Sequence, residues 1–167
     1  TPMPLPDESR ILMVNRLIER RGIDHMIKAL TEIQKAVPAV ELHIIGDGPR
    51  RDRLESLAQE LNVRNTITFH GNVPPDELRR QYQKATIFSH LSYADGWNQP
   101  ALEAMASGRP VVCTTKPHNS MVKDGETGYK VPWADPIAVS EAVLALLTDF
   151  SRAELFGTSG RERVEDE

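Results

Sequence analysis

Arg10-Ile11-Leu12-Met13-Val14-Asn15, followed beyond Gly22 by Ile23, Met26, Ile27, Leu30 and Ile33, sets the grammar of the whole chain. The first six residues are a short apolar run that stops at a polar side chain, as a buried strand does. The second set recurs at the three- and four-residue spacing of one helix face. The same pair returns at once: Val40-Glu41-Leu42-His43-Ile44-Ile45 stops at Gly46-Asp47-Gly48-Pro49, and Leu54, Leu57, Ala58 and Leu61 mark a second helix. Residues 66–69 predict a third strand and 86–89 a fourth; between them Pro74-Pro75-Asp76-Glu77-Leu78 starts a helix with proline in its first turn and acids at its positive end. Residues 101–107 predict a helix stopped by Gly108, 110–114 a fifth strand, 129–131 a short sixth, and Val139, Ala142, Val143, Leu146 and Leu147 a further helix. Strands that alternate with helices, several unbroken in apolar character, predict an α/β chain: a doubly wound, Rossmann-like parallel sheet of about six strands with helices on both faces.

The bulk properties agree. At 167 residues the chain suits one compact domain, and 40% hydrophobic with 26% charged residues excludes disordered and fibrous classes. A net charge of −4 gives no global reason to bind nucleic acid. No apolar stretch approaches the roughly 20 residues that span a bilayer, the start has no signal-peptide pattern, and Cys113 is the lone cysteine, so a cytoplasmic location is expected. Pro2, Pro4 and Pro6 give the beginning a linker-like composition.

In an open α/β sheet, ligands sit beyond the carboxyl ends of the strands, so the loops there carry the function. Neither Gly-x-Gly-x-x-Gly nor Gly-x-x-x-x-Gly-Lys-Ser/Thr is present, which disfavours a dehydrogenase or a simple ATPase. The first loop instead offers Arg16 and Arg21 beside a helix N-terminus, suited to a diphosphate. Gly46-Asp47-Gly48-Pro49 and His70-Gly71-Asn72-Val73 are turns where a ligand could approach backbone. Taken by themselves, Arg16 and Arg21 read more readily as solvated surface arginines and residues 70–73 as a simple turn, while a turn with no ligand explains residues 46–49 equally well. After the fourth strand, Asp95 in a loop and Glu103 in the first turns of a helix stand eight residues apart and could be aimed into one cleft; a turn former and a dipole-stabilising acid are the plain alternatives.

Asp95-Gly96-Trp97-Asn98, Leu102-Glu103-Ala104-Met105-Ala106, Gly108, Pro110-Val111-Val112, Asp124-Gly125-Glu126-Thr127-Gly128 and Val131-Pro132 follow in an order and spacing that resemble retaining GT-B glycosyltransferases, the group that includes sucrose and glycogen synthases. That family reads Glu-Gly-Phe-Gly-x-x-x-Leu-Glu-Ala-Met-Ala, then Gly, Pro-Val-Val and Asp-Gly-x-x-Gly before Val-Pro. Asn15-Arg16-Leu17 with Arg21-Gly22 resembles its first loop, and Gly46 to Pro49 its Gly-Asp-Gly-Pro turn. The resemblance implies one half of a GT-B fold: residues 1–9 an interdomain linker, 10–167 the domain that binds a nucleotide sugar, and, from Ser159 on, the family's terminal helix cut off midway. It implies that Glu103 holds the ribose, Asp95 faces the donor sugar, and Arg16 and Arg21 neutralise the leaving diphosphate. Backbone at Ala101 and Leu102 adds phosphate contacts, and Gly46, Gly71, Asn72, Val73 and Asn98 complete the donor site. No metal or other cofactor is implied. The expected partners are the nucleotide sugar and an N-terminal acceptor-binding domain of the same parent chain; peripheral membrane association of the parent stays open, and the isolated domain is expected to be inactive.

The chain also departs from the pattern. Asp95 stands for the family's first Glu, Asn15 for a Gly, Arg21 for a Lys, and Lys116-Pro117-His118-Asn119-Ser120 for Gly-Gly-x-Pro-Glu, with Pro117 lacking an N–H. His118 reads as a surface loop residue with no catalytic role. A degenerate domain kept for assembly or regulation, and a GT-B nucleotide-sugar epimerase, are the alternative functions.

Overall fold

The structure, a computed structural model, describes residues 4–6 and 8–166. Residues 1–3 and Asp7 of the segment read as a linker, and Glu167 of the segment read as the terminal helix, lie outside the described residues. Six strands, β1 (Arg10–Val14), β2 (Glu41–Ile45), β3 (Ile67–Gly71), β4 (Ile87–His90), β5 (Val111–Thr114) and β6 (Gly128–Val131), form one sheet in the order β3-β2-β1-β4-β5-β6, every pair parallel. Between and after them run α1 (Ile23–Ala36), α2 (Arg51–Glu60), α3 (Pro75–Lys84), α4 (Gln99–Ala106), α5 (Pro136–Leu147) and α6 (Phe150–Asp166).

Period two along the strands explains their unbroken apolar character. In β1, Ile11 and Met13 enter the core beneath α1, α2 and α5, while Leu12 enters the core beneath α3 and α4. In β4, Ile87 and Phe88 divide the same way. Met26, Ile27, Leu30 and Ile33 of α1 are fully buried on the first side; Ala101, Ala104 and Met105 of α4 on the second. Leu5, within the stretch expected to be a linker, is also buried in the first core.

Two helices differ from the sequence-based expectation. The fourth starts at Gln99, because Asn98 caps it and Pro100 is tolerated in its first turn. The last is a 17-residue helix containing Gly157 and Gly160, which weaken its helical signature. Gly157 is required by packing: a Cβ there would lie 2.1 Å from the Gly108 carbonyl oxygen.

Candidate functional site

The strand order reverses between β1 and β4, and a cleft of about 510 Å³ opens over the carboxyl ends of β1, β2 and β4 at that point. Val14, Asn15, Ile45, Gly46 and His90 bring the strand ends to its floor; Arg16, Arg21, Asn72, Val73, Asp95 and Trp97 come from the loops. Of the residues singled out in the sequence, Arg16, Arg21, Gly46, Asn72, Val73 and Asp95 therefore meet in one place, and Gly71, Asn98, Ala101, Leu102 and Glu103 do not line it.

Those five have local explanations. Gly71 closes the turn beneath the cleft, its carbonyl accepting the Gly46 N–H at 2.8 Å. Asn98 is fully buried with both amide ends engaged: Oδ1 accepts the Ala101 N–H at 3.2 Å and Nδ2 donates to Asn119 Oδ1 at 2.6 Å. It is a helix cap, not an exposed ligand contact. The same bond occupies the Ala101 N–H, and the Leu102 N–H bonds the Asn98 carbonyl at 3.3 Å, so a phosphate would have to compete for both donors expected to be free. Glu103 lines a neighbouring depression with Tyr82 and Arg79 that shares Leu78 with the cleft; Asp95 and Glu103 thus face adjoining hollows, because α4 turns the glutamate toward α3. Burial, and then the Glu103 carboxylate, push the Tyr82 phenol up, while its hydroxyl donates to the Pro100 carbonyl at 3.2 Å.

Gly46 is a glycine for the chain's own sake. Its φ is +125°, and a Cβ would lie 1.8 Å from the Asn15 carbonyl oxygen, so the close approach is between the ends of β1 and β2 rather than to a ligand.

The polar wall of the cleft is a hydrogen-bonded row that the sequence did not reveal. Asn15 Nδ2 lies 3.3 Å from His90 Nδ1, His90 Nε2 lies 3.2 Å from Asp95 Oδ2, and Arg21 Nη1 donates to that same oxygen. The Gly96 N–H donates to Asp95 Oδ1 at 2.8 Å. Burial would raise the Asp95 pKa, but Arg21, the Gly96 N–H and His90 outweigh it and hold the carboxyl below its usual range. Burial drives His90 down to about 4, against the opposing pull of Asp95. Arg16 is exposed on the rim, and Trp97, 66% exposed, stands at the mouth.

The loop that departs most from the pattern is firmly held. Asn119 is fully buried, donating to the Thr114 carbonyl at 2.9 Å and Thr114 Oγ1 at 3.1 Å while accepting from Asn98; Thr114 Oγ1 donates to the Ser92 carbonyl at 2.7 Å. The short 3-10 turn Pro117–Asn119 thereby sets His118 edge-on to His90, ring centroids 5.8 Å apart, with its Nε2 buried and unpartnered. His118 is half-buried against the site rather than on the open surface expected from its loop position. Among the described residues no group of three or more His, Cys, Asp or Glu is placed to hold a metal ion, and no helix is long and apolar enough to cross a membrane.

The sequence profile described as Glycosyl transferases group 1 matches residues 4–163. A GDP-mannose-dependent alpha-(1-6)-phosphatidylinositol monomannoside mannosyltransferase of Mycolicibacterium smegmatis is 33% identical over 165 residues, covering 94% of this chain and 43% of that protein. The chain therefore spans less than half the length of this curated relative. Among solved structures, S. aureus TarM, crystallised with UDP among other ligands, superposes with a TM-score of 0.92 at 21% identity, over 99% of this chain and 34% of that one. The C-terminal domain of a glycosyl transferase group 1 family protein from Francisella tularensis superposes with a TM-score of 0.87 at 23% identity, over 99% of this chain and 87% of that one.

Proposed function

Because the chain belongs to the group 1 glycosyl transferases, we propose that its cleft binds the nucleoside diphosphate sugar of a retaining hexosyltransferase, within a parent whose N-terminal domain binds the acceptor. The observation that carries this reading is the meeting of Arg16, Arg21 and Asp95 with Asn72 and Val73 at the switch point of the sheet. Loss of a nucleoside diphosphate builds negative charge on phosphate oxygens, and the guanidinium groups of Arg16 and Arg21 at the cleft would stabilise that charge without a metal. Asp95 would meet the sugar, and Glu103, in the adjoining hollow, the ribose hydroxyls. On this reading the acceptor is held by the N-terminal domain of the parent, so the chain by itself is expected to bind donor and transfer no sugar. The mycobacterial relative makes GDP-mannose the first donor to try.

A second reading, a degenerate domain with a role in assembly, draws on the occupied N–H groups of Ala101 and Leu102 and on Pro117, which together leave few backbone donors for a diphosphate. Calorimetric titration with UDP, GDP and ADP, with and without magnesium, separates the two. The donor reading expects saturable, metal-independent binding of one nucleotide, weakened by Arg16→Ala and by Glu103→Ala. Absence of binding both here and in the full-length parent would establish the degenerate domain.

A further inference from the structure

His90 is the last residue of β4, 1% exposed, and both its ring nitrogens are engaged. The amide of Asn15 donates to Nδ1, which leaves the ring proton on Nε2, and that N–H donates to Asp95. Asp95 sits in an exposed turn, between Ala94 and Gly96, yet its side chain points back to the sheet. Arg21 reaches it from the loop before α1 and His90 from the strand. His90 is held at both ring nitrogens, whereas Arg21 reaches Asp95 and the buried Ser92 hydroxyl, at 3.5 Å, through Nη1 and leaves its Nε without a hydrogen-bond partner. Asp95 Oδ1 receives only the Gly96 N–H and keeps acceptor capacity.

Resting on the donor-site reading above, we propose that His90 is a positioning residue for the sugar half of the donor: fixed in its Nε2–H form by Asn15, it holds the Asp95 carboxylate on the cleft wall in the orientation that accepts a sugar hydroxyl. A hydrogen bond to a carboxylate is worth most when its donor is anchored beforehand, since little freedom is lost on binding. Because burial keeps His90 neutral, it supplies a directed N–H to Asp95 and leaves the charge pairing to Arg21. The phosphates depend on Arg16 and Arg21, so the influence of His90 falls on the sugar and spares the nucleotide.

The test is calorimetric titration of the protein and its variants with GDP-mannose, UDP-glucose, GDP and UDP. His90→Leu is expected to lower the ratio of nucleotide-sugar to nucleotide affinity by about tenfold, the scale of one hydrogen bond to a charged group. His90→Gln, which retains an amide N–H, should recover part of that ratio, and His90→Leu should add nothing to Asp95→Asn. Equal weakening of nucleotide and nucleotide sugar, an unchanged ratio, or additive losses with Asp95→Asn would overturn the inference alone. A wild-type protein that binds none of the four ligands would overturn the donor-site reading and this inference with it. Should His90→Leu fail to fold, ring ¹⁵N shifts of the wild type decide: Nε2 protonated and Nδ1 bare between about pH 5.5 and 8 is expected from the buried, neutral ring, and the opposite tautomer overturns it.

Discussion

At Gly46 a single hydrogen atom keeps the ends of β1 and β2 together. Adding a methyl group places it 1.8 Å from the Asn15 carbonyl, at a φ of +125° that side chains rarely adopt. Gly46→Ala is expected to cost about 3 kcal/mol, measured as a lower urea midpoint with unchanged slope, because strain and overlap combine. A variant as stable as wild type would mean that the two strand ends can part. From sequence, Gly46 was legible as a turn at a strand end, but its reason was not, since the carbonyl it meets is 31 positions away. Asn98 is the converse case: a polar residue in the segment that resembles the family's signature, yet buried at both amide ends. His90 escaped notice because it follows directly on the predicted strand 86–89 and precedes Leu91, with no motif or spacing to single it out. Its placement as the last residue of a strand flanking the switch point is what makes it informative.

Among the elements, α3 ends against an unusual support. The Arg109 guanidinium, 1% exposed, donates from Nε to the Tyr82 carbonyl at 2.9 Å and from Nη2 to the Gln83 carbonyl at 2.6 Å, in the last turn of that helix. Carbonyls there lack the partner four residues on that the helix interior provides, Tyr82 having besides only the Ala85 N–H at 3.3 Å, and they carry the negative end of the dipole, so a fixed cation satisfies both needs. Burial lowers the Arg109 pKa to about 10, which leaves it charged at neutral pH. Arg109→Met should destabilise by about 3 kcal/mol, the scale of losing two charge-assisted bonds, and hydrogen exchange should quicken first in the C-terminal turn of α3. Uniform exchange across the protein would contradict that local role. The strands and α1 were readable because their apolar periods are clean. The 17-residue α6 was not, since its buried face includes Gly157 and Gly160, whose value lies in close packing against residues that sequence spacing does not identify.

For the molecule as a whole, the five histidines act together on acid stability. Burial lowers the pKa of His25, His43, His70, His90 and His118 alike. A buried neutral imidazole gives up its proton more readily than the unfolded chain, whose value is about 6.5. Its contribution is therefore complete above that pH and lost as pH falls toward the folded value. For His90, at about 4 when folded, the loss by pH 5 is about 2 kcal/mol. Urea unfolding at pH 7.5 and 5 should show lower stability at the acid value, and His90→Gln should reduce the difference by about 2 kcal/mol; equal stability at both values would contradict the buried, neutral histidines. The doubly wound architecture was legible in the alternation of strands and helices. The polar row on the cleft wall was not, because it joins residues 15, 21, 90 and 95 from separate loops and strand ends.

The chain has two tryptophans, and neither belongs to a core cluster. Trp97 stands exposed at the cleft mouth, while Trp133 lies edge-on to Tyr93 and His25. Indole emission is consequently a reporter of this loop surface and blind to the interior: the native spectrum should already be red-shifted. Quenching by iodide should reach Trp97 freely until a ligand fills the cleft, and an unfolding curve followed by fluorescence should come apart from one followed by circular dichroism whenever the loops loosen before the sheet.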